Sequence, residues 1–102
     1  MRRLPVRFRP EALRDLHAIS VAIAESSASA QVASAYTKRL RERCERIGDA
    51  PFGGRARDEL RPGLRTIAYK RSVVIAYTIR DDHVEIAKIF MRGRKYEDLF
   101  SS

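Results

Sequence analysis

The sequence predicts an α+β fold in which a short N-terminal strand and a helical hairpin pack on a C-terminal three-stranded antiparallel meander. Three observations carry that expectation. Apolar residues recur at three- and four-residue steps through the first half of the chain, then at every second position beyond Gly63. Only a short serine-rich link separates the two helical stripes, so the helices should lie antiparallel as neighbours. The last three apolar runs are joined by connections too short for anything but antiparallel pairing.

Leu4-Pro5-Val6-Arg7-Phe8 alternates in polarity and suits a first strand. Pro5 has no N–H to give a ladder, so the strand should lie at an edge or begin pairing after it. Ala12, Leu13, Leu16, Ile19 and Ile23 then trace a helix face, with Pro10 and Glu11 in its first turn. Ser26-Ser27-Ala28-Ser29 interrupts the pattern, and Ser29 is placed to cap the second helix. Val32, Ala33, Tyr36, Leu40, Cys44 and Ile47 form that helix's apolar stripe, Gly48 is its stop, and Pro51 follows. Neither helix would persist alone, so both stripes must meet the sheet.

Pro51 to Gly63 reads as an ordered loop, and the strands follow at Thr66–Tyr69, Val73–Ile79 and Val84–Met91. A turn at Asp81-Asp82 sets Ile79 opposite Val84 and Tyr77 opposite Ile86, all apolar on one face. A loop of Lys70-Arg71-Ser72 pairs Tyr69 with Val73 and brings Arg65 opposite Tyr77, a phenol it could stack on. Continued without interruption, the second hairpin would oppose Lys88 to the apolar Ile75. It therefore requires either a bulge or a snorkelling lysine. Leu99 or Phe100 should return to the body after the basic stretch that begins at Arg92.

The 102 residues suffice for one domain spanning 1–102. Lysine and arginine outnumber acids 21 to 13, for a net charge of +8, which attracts polyanions or an acidic protein. Cys44 is alone, so no intrachain disulfide forms. No run is long enough to span a membrane and none resembles a signal peptide, which leaves the cytoplasm as the expected location. His17, His83 and Cys44 share no metal-ligand spacing, so neither a metal nor another cofactor is expected. Gly53-Gly54 lacks the lysine and hydroxyl of a phosphate loop, and Asp58-Glu59 and Asp81-Asp82 suit solvated turns. What remains is arginine, lysine and tyrosine, which bind phosphates and stack on bases, or anchor protein interfaces.

The ordered set of segments resembles the ParE/RelE toxin superfamily of bacterial toxin–antitoxin modules, and within it the ParE branch. The matching pieces are Pro10-Glu11-Ala12 with Asp15-Leu16 and Ile19, Ala35-Tyr36 through Leu40, and Pro51 to Gly54-Arg55. They continue with Asp58-Glu59-Leu60-Arg61-Pro62-Gly63-Leu64-Arg65, Val74-Ile75-Ala76-Tyr77, and Val84-Glu85-Ile86 leading to Phe90-Met91-Arg92-Gly93-Arg94. The resemblance implies a toxin neutralised by a cognate, ParD-like or related antitoxin in a hetero-oligomer. It also implies DNA gyrase as target, inhibited by binding and without bond chemistry.

RelE-type relatives cleave ribosome-bound mRNA with an arginine on the central strand, another after the last strand, and a tyrosine or histidine near the C-terminus. Val74 stands at the first of these positions, Arg94 at the second, and Phe100, without a hydroxyl, near the third. No catalytic residue is therefore assigned. The alternative is a ribosome-dependent mRNA endoribonuclease built on Arg65, Arg94 and Tyr96, and a third reading is a nucleic-acid-binding module without toxicity. The candidate target contacts are Arg65, Tyr77, Arg92, Arg94, Lys95, Tyr96 and Phe100. Antitoxin contacts are expected at Leu13, Leu16, Tyr36, Leu40, Arg39 and Arg43, in a groove between the hairpin and the sheet.

Overall fold

Pro5 sets where the first strand can begin. A computed structural model of the chain, describing residues 3–93 and 99–100, starts β1 one residue later and spans Val6–Phe8. This strand lies at one edge of the sheet and runs parallel to the last strand, β5 (Val84–Met91), with Val6 opposite Val84 and Phe8 opposite Ile86. Pro5 contributes only its carbonyl, which accepts the Val84 N–H at 2.9 Å.

Helix α1 (Pro10–Ser27) starts on its proline, carries Glu11 in the first turn, and ends where Ala28 turns left-handed at φ 55°. The Ser29 hydroxyl then accepts the Val32 N–H at 3.1 Å and caps α2 (Ala30–Arg46). The α-helical stop comes two residues before Gly48, in a 3₁₀ turn at Ile47–Asp49. Gly48 serves a close approach instead: the Leu4 N–H donates to its carbonyl at 2.9 Å, and a Cβ there would overlap the Leu4 carbonyl.

The expected loop after Pro51 contains a second 3₁₀ turn, Pro51–Gly53, and a strand the sequence did not reveal, β2 (Arg55–Ala56). Two residues are too few to show an alternation. Strand β2 pairs antiparallel with β3 (Leu64–Tyr69), which begins two residues earlier than expected and is followed by β4 (Val73–Ile79). The meander is thus part of a five-stranded sheet in the order β1-β5-β4-β3-β2.

Both hairpin registers agree with the sequence: Tyr69 faces Val73, Arg65 faces Tyr77, Tyr77 faces Ile86 and Ile79 faces Val84. At Lys88 the chain adopts the bulge. Ala76 pairs with Lys88 while Tyr77 pairs with Ile86, leaving Ala87 unmatched. The extra residue changes the phase of β5, so Ile86 and Ile89 join the same core although three residues apart.

That core lies between the helices and one sheet face, and includes Ala12, Leu16, Ile19, Leu40, Cys44, Ile47, Ile75 and Tyr77. A smaller cluster on the other face joins Leu64, Val74, Ala76, Phe90 and Phe100, with Leu60 and Leu99 at its rim. Phe100 meets Phe90 edge-on at 6.1 Å between centroids, so the end of the described chain returns to the body as expected.

Candidate functional site

Strand β1 accompanies β5 only as far as Ile86, and α1 runs beside the rest of that edge. Arg9 donates its N–H to Ile86 O at 3.0 Å as the chain turns into the helix. Further along α1, Asp15 Oδ2 accepts the Ile89 N–H at 2.8 Å and takes the place of a neighbouring strand. Glu11 pairs with Lys88 across the same seam. The lysine holds the Glu11 carboxyl below the usual range, chiefly through their hydrogen bond. Burial instead pushes Asp15 above its ordinary value, against the opposing pull of the Ile89 N–H.

A groove of about 660 Å³ opens along this seam. Ile19, Ile23, Val73 and Ile89 give it an apolar floor, and Ala18 and Ala22, four residues apart on α1, keep one wall low. Met91, 49% exposed, also lines it, as does Tyr36, held edge-on against Tyr69 at 5.7 Å. Burial raises the Tyr36 phenol above its ordinary pKa.

A second cluster of functional groups surrounds the Pro51–Gly54 turn. The buried Tyr77 hydroxyl donates to Pro51 O at 2.7 Å and accepts the Gly54 N–H at 2.9 Å. Arg65 donates to Gly54 O at 2.8 Å and Phe52 O at 3.3 Å, and its guanidinium carbon lies 5.1 Å from the Phe52 ring centroid. Register predicted the Arg65–Tyr77 pairing but not what the two side chains hold. They fasten the same turn from neighbouring strands, and Arg65 stacks on Phe52 rather than on Tyr77. The loop acids go elsewhere, with Glu59 on Arg57 and Asp58 accepting the Gly63 N–H.

Several candidate contacts need correcting. Leu16 and Leu40 are core residues with no surface to offer an antitoxin, and Tyr77 is fully enclosed. Phe100 is likewise buried, beneath the Arg61 guanidinium at 5.3 Å. Leu13 is 43% exposed but does not line the groove, whereas Tyr36 does. Arg39 is exposed, and Arg43 lies half-buried near the Tyr77 phenol. Arg92 is exposed, its N–H donating to Ser72 O at 2.8 Å. Arg94, Lys95 and Tyr96 lie outside the described residues.

Of the groove's lining only Tyr36 was among the expected antitoxin contacts, and the residues missed include Glu11, Asp15, Ala18, Ala22, Lys88 and Met91. The alanine pair beside Ile19 and Ile23 was the available signal. Among the described residues, no group of three or more His, Cys, Asp or Glu is placed to hold a metal ion. No helix among them is long and apolar enough to cross a membrane.

Solved structures share this architecture. A chain of the chromosomal ParDE toxin–antitoxin system from P. aeruginosa superposes with a TM-score of 0.74 at 18% identity, covering 86% of this chain and 95% of that one. One from the RelBE2 toxin–antitoxin complex of Mycobacterium tuberculosis gives 0.60 at 22% identity, covering 92% and 97%. A conserved hypothetical protein from Helicobacter pylori gives 0.58 at 16% identity, covering 89% and 97%. Among curated proteins, none matches the chain. The family model described as the ParE toxin of the type II toxin–antitoxin system parDE matches residues 6–96. With nearly its whole length matched, the chain belongs to the ParE toxin family of type II toxin–antitoxin systems, within the ParE/RelE superfamily.

Proposed function

We propose that this chain is a cytoplasmic toxin that inhibits DNA gyrase by binding, and is held silent by a ParD-like antitoxin seated in the α1–β5 groove. The observation that carries the binding mode is the packing of Val74 and Phe100. Both belong to the apolar cluster on the outer sheet face, with Leu64, Ala76 and Phe90. An mRNA-cleaving relative needs an arginine and a hydroxyl or imidazole at those positions to stabilise charge and move a proton. Valine and phenylalanine do neither.

The groove fits the apolar face of an amphipathic helix, with an aliphatic floor, a low alanine wall and charged groups at Glu11, Asp15 and Lys88 on its rim. The ParDE and RelBE2 neighbours are toxin–antitoxin systems, which supports a partner of this kind. Gyrase supercoiling assayed with and without the full chain tests the target. Loss of supercoiling is expected, and unaffected gyrase over a wide concentration range would sink the proposal. Cleavage of transcripts on translating ribosomes would favour the endoribonuclease instead.

A further inference from the structure

Phe52 is the most exposed large apolar side chain among the described residues, at 72%. Its backbone is nevertheless firmly held, because Tyr77 and Arg65 fasten both ends of the Pro51–Gly54 turn. One face of the ring is occupied by the Arg65 guanidinium. Beside it, a side chain built on Gly53 would meet nothing within 4 Å, so the approach is open. The turn follows α2 after the Ile47–Asp49 3₁₀ turn; Arg43, in the last turn of α2, acts electrostatically on the Tyr77 phenol, and Arg39 stands one helical turn back on the same face. Arg55 flanks the turn on its other side. No carboxylate among the described residues pairs with Arg39, Arg43, Arg55 or Arg65.

We infer that the Pro51–Gly54 turn is a stacking platform for single-stranded nucleic acid. An unpaired base lies on the open face of Phe52, and neighbouring phosphates are met by Arg43, Arg39 and Arg55. Two features favour a nucleic acid over an acidic protein. A guanidinium already fills one side of the ring, which leaves a flat half-site matched to a planar π-system; a protein pocket would enclose the ring on both sides. Arg39, Arg43 and Arg55, which form no ion pair with a carboxylate among the described residues, also offer donors suited to successive phosphates. A duplex, whose bases are stacked on one another, does not supply the ligand. The platform shares no residue with the α1–β5 groove and does not depend on gyrase being the target.

The chain has no tryptophan, so Phe52→Trp places a single reporter at the platform. Full-length protein is titrated with a 12-nucleotide single strand as DNA and as RNA, with the corresponding DNA duplex, and with polyglutamate. Both single strands should quench the reporter, and the tighter one identifies the preferred source. In competition, Phe52→Ala should bind either strand roughly 5- to 150-fold more weakly with an unchanged melting temperature, while Phe52→Trp retains affinity. Arg43→Ala should lower the slope of log affinity against log salt by about 0.7, the loss of one phosphate contact. Equal binding by Phe52→Ala and wild type would overturn the inference, as would a duplex that quenches as well as the strand. Phe52-dependent binding of polyglutamate with comparable affinity would assign the surface to an acidic protein, with the same result.

Discussion

Asp15 Oδ2 accepts the Ile89 N–H at 2.8 Å, and this contact joins α1 to the part of β5 whose outer edge β1 leaves unpaired. Asp15→Ala removes the acceptor and should cost about 1–3 kcal/mol in urea denaturation. Burial holds the carboxyl above its ordinary 3.8, so the folded chain binds that proton more tightly than the unfolded chain. The resulting stability is full below the unfolded value and is lost as pH rises through the folded one. Asp15→Asn keeps an acceptor that cannot ionise, and should therefore gain on the wild type as pH is raised from the acid limb towards neutrality. A constant difference across that window would remove the linkage claim.

Tyr77→Phe should destabilise the chain although it keeps the ring. The hydroxyl serves Pro51 O and the Gly54 N–H, and each buried backbone group left unpaired costs about 1–3 kcal/mol. Gly54→Ala should be damaging for a different reason, since its Cβ would overlap that hydroxyl. Denaturation midpoints at wild-type levels for both variants would show that the turn does not rely on this tie.

The meander and its register were legible because apolar residues on β4 and β5 admit one alignment and a one-residue slip exposes them. The bulge was legible as an alternative only: Lys88 opposite Ile75 signalled trouble, but settling it on Ala87 took the packing of Ile89 beneath the helices. The groove was invisible for a deeper reason. It exists because β1 stops at Phe8, and its lining comes from α1, α2, the β3–β4 turn, the start of β4, β5 and Leu99, brought together only by the fold. Leu16 and Leu40 were misassigned because a helix stripe marks what is buried without saying by what. Arg65 stood out through its register opposite Tyr77, yet its stacking partner Phe52 sits in a turn where no periodicity points to it.

Antitoxin capture should be sensitive to the low alanine wall. Ala22→Arg, at an exposed position on the groove, should weaken binding by roughly 100-fold, the scale of a lost hot spot. Stability should stay within about 0.5 kcal/mol, as for other surface changes. Calorimetry with the cognate antitoxin measures the first quantity and urea denaturation the second. Undiminished binding would move the antitoxin off this face.

Cys44 is the chain's sole cysteine and is fully buried, and that burial pushes its thiol up to about 12. Labelling with a thiol reagent at pH 8 should therefore follow the urea unfolding curve and be negligible under native conditions. Prompt labelling of the folded protein would show that α2 lifts from the sheet on its own.

Three paired residues are a thin hem for an eight-residue strand. Extending the first strand past Phe8 would seal the seam and gain ladder bonds, but it would displace Pro10 and the helix start it sets. Rigidity and an open seam thus make opposing demands on Arg9 and Pro10. The molecule reconciles them by lending one strand amide to a carboxylate, which a guest could reclaim.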